Sequence, residues 1–307
     1  MSNLTVAVLG PGGVGGFLAA VFCRNGFDVA CIARPSTASW IAQHGLVLES
    51  PRFGNFTVYP GASTTLEKPV DLLFITTKAV HLPDALKRLQ SVDLSATVIV
   101  PLLNGIEHVD FLRERIVATI VPGSIRISAR VVQPGTISHL SDFAIVSLAC
   151  DDPAVQGRVR TVAQCLERCG VQAILAQGER QVLWEKLVRL NALACTTAAS
   201  DQPIGWIRND PEWRKTLQAV VEEGARVAQA EGVAIDPAKE MSILDALPAA
   251  LTSSMRDDLA AHRPSELDAI AGAVVRAGAK YGLPCPTTED LFNAILKRVK
   301  ENENDAQ

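Results

Sequence analysis

VAVLGPGGVGGFLAAVFCRNGFDVACIAR, residues 6–34, decides the fold of the amino-terminal half of the chain. A short apolar run at 6–9 leads into GPGGVG at 10–15, and a helix-like apolar segment at 16–25 precedes a second apolar run at 29–33. This order predicts a strand, a glycine turn, a helix and a second strand, the context in which a G-x-G-x-x-G pattern indicates a dinucleotide-binding fold. The alternative is a glycine turn with a purely structural role.

The glycines of this turn meet the requirements of a bound pyrophosphate. Gly10 permits the tight turn, Gly12 lets the backbone approach the pyrophosphate, and Gly15 allows helix and strand to pack closely. The start of the predicted helix adds backbone N–H donors and a partial positive charge, and Gly13 and Val14 lie in the turn between these glycines. We therefore expect these five residues to bind the dinucleotide.

The residue at the end of the second predicted strand decides which dinucleotide is preferred. Sites for NAD usually place Asp or Glu there to bind the ribose 2′-hydroxyl, whereas this chain has ARPST at 33–37. A carboxylate would repel a 2′-phosphate, and the guanidinium of Arg34 would bind it with two hydrogen bonds. The sequence therefore predicts NADP as the cofactor, the alternative being that Arg34 is an ordinary solvated loop residue.

The composition is that of a globular protein with about two domains. The chain has 307 residues, of which 48% are apolar and 20% are charged, enough to bury two modest cores. A net charge of −4 without a basic run argues against a nucleic-acid partner. The seven cysteines lie mostly within apolar segments, which is typical of reduced residues in a protein core.

Neither a membrane segment nor a metal site is expected. The chain has no apolar stretch of the length that crosses a membrane and no cleavable amino-terminal signal, so we expect a cytoplasmic protein. Cys165 and Cys169 could share a helix face, but two sulfurs without further ligands do not make a zinc site. Core packing is the expected role of both.

The pattern of hydrophobicity changes once along the chain. Up to residue 177, apolar runs typical of strands alternate with helical patterns, and from 178 the pattern is helical nearly throughout, as at 213–231 and 266–281. We therefore predict an α/β, Rossmann-like dinucleotide-binding domain at 1–177 and an all-helical domain at 178–307, with a disordered polar tail at 301–307. The strands after residue 34 are predicted at 45–49, 56–59, 70–76, 97–102, 116–120, 144–149 and 171–176.

Two predicted strands of the first domain end in polar residues that could line a binding site. The strand at 70–76 is followed by Lys78, and the strand at 97–102 is followed by Asn104. Ligands of open parallel sheets bind at the carboxyl ends of the strands, so both residues fall where the nicotinamide and a substrate would meet. Either could instead be a simple turn residue, since Asn-Gly is a common turn pair.

The helical domain offers candidate residues at three further places. Lys186 lies at the front of a strongly apolar helix, where a partly desolvated lysine could donate a proton, although it could also extend to solvent or pair with an acid. Glu266 is predicted in the first turn of a helix, where a capping box alone would explain it. Ser253 and Ser254 could likewise be helix-start or surface hydroxyls.

An ordered set of motifs resembles the ketopantoate reductase (2-dehydropantoate 2-reductase) family over essentially the whole chain. The resemblance implies a Rossmann-like domain, a helical domain, and NADPH-dependent reduction of a 2-oxo acid in a cleft between them, a step of pantothenate biosynthesis. The motifs are GPGGVGG (10–16), IAR (32–34), TTKA (76–79), LLNG (102–105), LWEK (183–186), PIGWIRNDP (203–211), EEGARVAQAEGV (222–233), SSMRDDL (253–259), SELDAIAGAVV (265–275) and YGLPCPTTEDLF (281–292).

The resemblance also implies roles for individual residues. Lys186 matches the general acid, and Glu266 matches the residue that binds the substrate hydroxyl. Ser254 is expected near the substrate carboxylate, while Lys78 and Asn104 match cofactor and cleft positions.

One departure from the family pattern bears on the substrate. Many ketopantoate reductases have asparagines four and eight residues after the catalytic lysine, where this chain has Leu190 and Ala194. These positions share a helix face with Lys186, whereas Asn191 projects about 100° away. We therefore expect a less polar cleft, with Asn191 and Asn104 as the candidates to supply any missing contact.

The sequence as a whole predicts an NADPH-dependent reductase of a 2-oxo acid, with 2-dehydropantoate as the first candidate substrate. The alternatives are a reductase of a bulkier or more apolar 2-oxo acid and a non-catalytic NADP-binding regulator. The expected partners are the small-molecule substrate and a second copy of the chain in a homodimer.

Overall fold

The computed structural model describes residues 4–305 and divides the chain into two compact units. The first unit comprises Met1–Leu103 and His108–Val182, and the second comprises Asn104–Glu107 and Leu183–Gln307. The sequence places the boundary at 177/178, and the contacts place it at 182/183, inside the first helix of the second unit. The transfer of the four-residue segment 104–107 to the helical unit has no counterpart in the sequence pattern.

Strands occur only in the first unit of the described chain, and they form three sheets. The largest has six parallel strands in the order β5-β2-β1-β6-β7-β8, and the smaller two have the orders β10-β11-β3-β4 and β13-β12-β9. The strands are β1 (Thr5–Leu9), β2 (Asp28–Ile32), β3 (Leu46–Glu49), β4 (Phe56–Val58), β5 (Gly61–Ser63), β6 (Leu72–Ile75), β7 (Val98–Pro101), β8 (Thr119–Ile120), β9 (Gly123–Arg126), β10 (Ala129–Gln133), β11 (Thr136–His139), β12 (Ile145–Leu148) and β13 (Gln172–Leu175).

The six-stranded sheet forms because its central strands are apolar on both faces. All four residues of β6 and of β7 are buried, which is typical of parallel strands covered on both sides. The predicted strand–turn–helix–strand at the amino terminus is confirmed, with the helix starting at Gly13. Phe17 and Phe22 of that helix are fully buried in the core of this unit.

The helices of the first unit are short, and those of the second unit make up nearly all of it. Short 3₁₀ turns cover Ala79–His81, Lys87–Leu89 and Pro153–Val155. The helices are α1 (Gly13–Arg24), α2 (Pro35–His44), α3 (Leu82–Leu86), α4 (His108–Arg113), α5 (Gln156–Arg168), α6 (Glu179–Ser200), α7 (Ile204–Asn209), α8 (Pro211–Ala230), α9 (Pro237–Asp245), α10 (Ser254–Ala260), α11 (Ala273–Lys280) and α12 (Pro286–Asp305), with a π-helical turn at Asp268–Gly272.

The predicted fold class, a Rossmann-like α/β domain followed by a helical domain, is confirmed. Four strands escape the sequence pattern: β5, β9, β10 and β11. Strand β10 is an edge strand of mostly exposed residues, and β5 is a three-residue GAS segment, so neither carries a strong apolar signal. The expected strand at 116–120 shortens to the two residues of β8.

The carboxyl-terminal tail departs from expectation. Residues 301–305 continue α12 as helix, so the predicted disorder is wrong there, and residues 306–307 lie outside the described part of the chain. None of the helices in the described residues is long and apolar enough to cross a membrane.

Gly15→Ala should destabilise the first unit, because a Cβ at this position would lie 2.2 Å from Thr76 Oγ1 and 2.4 Å from the Gly10 carbonyl oxygen. We expect a loss of about 1–3 kcal/mol in the free energy of unfolding, measured by denaturant titration. The matched control is Gly157→Ala in α5, where a Cβ meets no atom within 4 Å and alanine should be neutral or stabilising by up to about 1 kcal/mol. Equal effects of the two substitutions would show that the close packing at Gly15 is not as described.

Candidate active site

The glycine turn after β1 has a fixed backbone geometry. Gly10 has a φ of +89°, a conformation that residues with a side chain rarely adopt, and its carbonyl oxygen accepts a hydrogen bond of 2.7 Å from the Gly12 amide. Gly12 is the N-cap of α1, and the first helical bond runs from the Gly16 amide to its carbonyl, 2.7 Å apart. The N–H groups of the first helical turn thus have no acceptor inside the helix.

The space around this turn fits a dinucleotide. A Cβ at Gly12 would meet no atom within 4 Å, so the backbone there is open to a ligand, whereas a Cβ at Gly13 would lie 2.3 Å from the Ala129 carbonyl oxygen. Next to the turn, the hydroxyl oxygen of Thr77 is buried without a hydrogen-bond partner in the described residues. An open glycine, free helix N–H groups and a buried hydroxyl are features that a bound pyrophosphate would satisfy.

Other predicted cofactor residues lie at the same edge of the sheet. Strands β2, β1 and β6 are parallel neighbours, so the residues that follow them meet at their carboxyl ends. Arg34 follows β2, is exposed, and is the N-cap of α2. Lys78 follows β6, is partly exposed, and precedes the 3₁₀ turn. The structure therefore brings the glycine turn, Arg34 and Lys78 to one edge.

One carboxylate lies in the surroundings of Arg34. The pKa of Asp84 is lowered, first by its hydrogen bond and charge interaction with Lys87 and to a smaller extent by His81 and Arg34. The Lys87 ammonium lies 2.7 Å from this carboxylate, so the negative charge of Asp84 is balanced by its own neighbour on the exposed surface. The ion-pair partner of Asp84 is therefore Lys87, and Arg34 has only a weaker charge effect on this carboxylate.

In the second unit, three predicted site residues form one group. The Asn104 amide nitrogen donates a hydrogen bond of 2.7 Å to Glu266 Oε2, although the two residues are 162 positions apart. Glu266 is buried, with 8% of its surface exposed, and its negative charge acts on the Lys186 ammonium. All three residues are predicted from the sequence, which has no signal for the hydrogen bond between Asn104 and Glu266.

The segment 104–107 is attached to the helix that follows Glu266. Gly105, with a φ of +86°, packs so closely that a Cβ there would lie 2.3 Å from the Ala269 carbonyl oxygen in the π-helical turn. Glu107 receives two hydrogen bonds from Arg276, of 2.8 and 2.7 Å, and Arg276 also donates to Asp268 at 2.7 Å. These contacts fix the position of Asn104 at the start of the segment.

Glu266 lies one residue earlier in its helix than predicted. The helical segment begins at Leu267, and the Glu266 carbonyl accepts the first helical bond from the Ile270 amide at 3.0 Å. Glu266 is therefore an N-cap residue, and its placement in the first turn was wrong. Its side chain accepts the hydrogen bond from Asn104, a contact that a capping box does not explain.

The acid–base properties of Lys186 set it apart from an ordinary lysine. Lys186 lies on α6 and keeps part of its surface exposed, yet protein atoms surround its ammonium densely enough that desolvation lowers its pKa to about 8. The charge of Glu266 acts in the opposite direction and limits the shift. An ammonium of this kind is protonated at pH 7 and gives up its proton more easily than an exposed lysine, as a general acid requires.

The two serines of SSM differ in role. Ser253 is buried, caps α10 through a 3.2 Å hydrogen bond from the Arg256 amide, and lies 2.7 Å from the Thr197 hydroxyl. Ser254, the residue predicted to bind substrate, is the first residue of α10 and is exposed. The helix-start alternative therefore describes Ser253, whereas Ser254 has the exposure of a surface residue.

The lysine-bearing helix has the apolar character that its sequence suggests. Leu190 packs against the core of the second unit, and Ala194 is fully buried in it. Asn191 is fully buried, and its Oδ1 accepts a hydrogen bond of 3.2 Å from Cys195. Its amide nitrogen has no hydrogen-bond partner in the described residues. Because Asn191 has no exposed surface, a direct contact with a substrate would require the helix packing to change.

The cysteines and the acidic residues form no metal centre in the part of the chain that the structure describes. All seven cysteines are free thiols, and no group of three or more His, Cys, Asp or Glu residues there is placed to hold a metal ion. Cys165 and Cys169 lie in the apolar core of the first unit.

Comparison with known proteins identifies relatives over most of the chain. The family model "Ketopantoate reductase PanE/ApbA" matches residues 6–149, and the model of the carboxyl-terminal domain of the same family matches 180–299. The 2-dehydropantoate 2-reductase of Archaeoglobus fulgidus is 26% identical over 290 residues, which cover 94% of this chain and 96% of that protein.

Solved structures agree in fold. A ketopantoate reductase from Ralstonia eutropha has a TM-score of 0.87 and 25% identity and covers 98% of this chain and 100% of its own. The ternary structure of D-mandelate dehydrogenase with NADH and anilino(oxo)acetate has a TM-score of 0.91 with 22% identity, covering 98% of this chain and 100% of that one. Because the identity to D-mandelate dehydrogenase is only 22%, this comparison shows a similar fold and nothing more.

Lys186→Met should stabilise the protein without ligand at pH 7, because burial of the charged ammonium opposes folding. The folded pKa of about 8 lies below the ordinary value of 10.5, so the penalty is complete below pH 8 and disappears as the pH rises to 10.5. We expect a gain of about 1–3 kcal/mol at pH 7, measured by thermal and denaturant unfolding at several pH values. Lys239→Met, at an exposed position of α9, is the control and should change little. A pH-independent gain for Lys186→Met would contradict the burial of its charge.

Proposed function

The chain belongs to the ketopantoate reductase family of oxidoreductases, and from this premise we propose that it reduces a 2-oxo acid to a 2-hydroxy acid with NADPH. The first candidate substrate is 2-dehydropantoate, which would be reduced to pantoate. The observation that carries the proposal is Lys186, a lysine with a pKa of about 8 under the influence of Glu266. Location in the cytoplasm and assembly as a homodimer stay predictions from the sequence.

The glycine turn would bind the dinucleotide. The N–H groups at Gly13 and Val14 would donate to the pyrophosphate, for which Gly12 leaves open space. Arg34 would bind the ribose 2′-phosphate, and Lys78 would contact the cofactor from the end of β6. When bound, the reduced nicotinamide supplies a hydride to the carbonyl carbon of the substrate.

Side chains of the second unit would transfer a proton to the substrate and hold the substrate in place. Lys186 would donate a proton to the carbonyl oxygen as negative charge develops there, a contribution of about 10²–10⁴ in rate. Glu266 would keep Lys186 charged below pH 8 and accept a hydrogen bond from the substrate hydroxyl. Asn104, already bound to Glu266, would hold that carboxylate in place, and Ser254 would bind the substrate carboxylate.

A second candidate function is reduction of a 2-oxo acid with an apolar side chain. It is favoured by Leu190, a partly buried apolar residue one turn after Lys186 on the same face of α6, and by the complete burial of Asn191. A substrate hydroxyl without a partner would lose about 1 kcal/mol per hydrogen bond. Comparison of kcat/KM for 2-dehydropantoate with branched and aromatic 2-oxo acids distinguishes the candidates.

Lys186→Ala should lower kcat at least about a hundredfold for the best 2-oxo acid while NADPH still binds, since the lost interaction forms in the transition state. The activity of the natural protein should fall as the pH rises through about 8, because the acid form of Lys186 is then lost. Steady-state kinetics from pH 6 to pH 10, with Lys239→Ala as control, measures both effects. Full turnover in Lys186→Ala would remove the proton-donor role.

Arg34→Ala should weaken NADPH binding about ten- to a hundredfold and leave NADH affinity nearly unchanged, because a charge-assisted hydrogen bond to the 2′-phosphate is worth about 1.5–3 kcal/mol. Fluorescence titration with both cofactors measures the two affinities. Arg160→Ala, at an exposed position of α5, is the control for loss of a surface charge. Equal losses for both cofactors in Arg34→Ala would contradict recognition of the 2′-phosphate.

A further inference from the structure

We propose that Thr76 is a positioning residue for dinucleotide binding, which holds the glycine turn in its binding geometry through the side-chain hydroxyl. The inference rests on one part of the proposed function, the binding of a dinucleotide, and does not depend on which substrate is reduced. Thr76 is the first residue after β6, and the sequence alone predicts no role for it beyond its place in the TTKA motif.

The hydroxyl of Thr76 is directed at the backbone where β1 passes into the glycine turn. Its Oγ1 donates to the Gly10 carbonyl oxygen at 2.9 Å and lies 3.2 Å from the Leu9 carbonyl oxygen. The Thr76 amide also donates to Leu9, at 3.0 Å, so backbone and side chain of one residue attach to consecutive peptide groups. These contacts fix the orientation of the peptide that follows Gly10.

The orientation of that peptide determines where the binding amides point. The Gly10 carbonyl oxygen also accepts the 2.7 Å hydrogen bond from the Gly12 amide, and Gly10 itself has a φ of +89°. A rotation of this peptide would move Gly12 and the first turn of α1 with it. The hydroxyl therefore helps to hold the N–H groups of Gly13 and Val14 in position before a ligand arrives, which lowers the cost of binding.

The same hydroxyl contacts the other end of the turn. A Cβ at Gly15 would lie 2.2 Å from Thr76 Oγ1, so the oxygen fills the space that the missing side chain leaves. Thr76 thus touches the first and the third glycine of the G-x-G-x-x-G pattern. A valine at this position keeps the shape but places a methyl group against two carbonyl oxygens and Gly15, so the turn would have to move.

The chain offers a matched control in Thr97, which is buried and donates through its hydroxyl to the Val70 carbonyl oxygen at 2.7 Å. It precedes β7, at the amino end of the same parallel sheet, so its loss removes an equivalent hydrogen bond from the opposite edge. Thr97→Val and Thr76→Val should lower the melting temperature by similar amounts. Only Thr76→Val should affect the dinucleotide.

The experiment is a titration of NADPH into the full chain, followed by the fluorescence of the cofactor. We expect Thr76→Val to raise Kd about five- to tenfold, the effect of roughly one hydrogen bond, and Thr76→Ser and Thr97→Val to stay within about twofold of the natural protein. Thr76→Ala removes the hydroxyl without adding bulk, and it should also raise Kd. Comparison of Thr76→Ala with Thr76→Ser decides the question if the valine variant does not fold.

Natural affinity in folded Thr76→Val or Thr76→Ala would overturn the positioning role, as would an equal loss of affinity in Thr97→Val. A natural protein that binds neither NADPH nor NADH would instead overturn the proposed function, and this inference with it. Weak binding by Thr76→Val and Thr76→Ala that Thr76→Ser restores would support it.

Discussion

Burial of the Lys186 ammonium near the Glu266 carboxylate is the interaction on which the chemistry of the helical unit depends. Desolvation lowers the lysine pKa to about 8, and the negative charge of Glu266 prevents a larger shift. Without the carboxylate, the pKa of the lysine would be lower, and less of it would carry the proton at neutral pH. Without burial, it would hold its proton too strongly to donate it well.

The two units prepare their parts of the proposed reaction by opposite physical means. In the first, the missing side chains of Gly10, Gly12 and Gly15 let the backbone turn tightly, leave space for a ligand and let α1 approach β1 and Thr76. In the second, side chains do the positioning: Arg276 holds Glu107, and Asn104 holds Glu266. In the first unit, an added Cβ at Gly15 would collide with its neighbours. The site residues of the second unit depend instead on charge and hydrogen bonds.

Local features of the structure could be predicted from the sequence, but contacts between segments far apart in the chain could not. The glycine turn, the place of Arg34 after β2 and the change from α/β to helical pattern follow from residues close in sequence, and the fold confirms them. The attachment of 104–107 to the helix after Glu266 joins residues 162 positions apart, for which periodicity has no signal. Thr76 was missed because a threonine at a strand end is unremarkable until its acceptors are known.

The measurement that tests the central claim most directly is an NMR titration of the Lys186 side chain, through its ¹³Cε resonance assigned by comparison with Lys186→Arg. A buried ammonium balanced by Glu266 should titrate with a midpoint near the pKa of about 8, and the midpoint should fall in Glu266→Gln, where the opposing charge is gone. A midpoint near the ordinary value of 10.5 would contradict the burial of the charge and, with it, the role of Lys186 as a tuned proton donor.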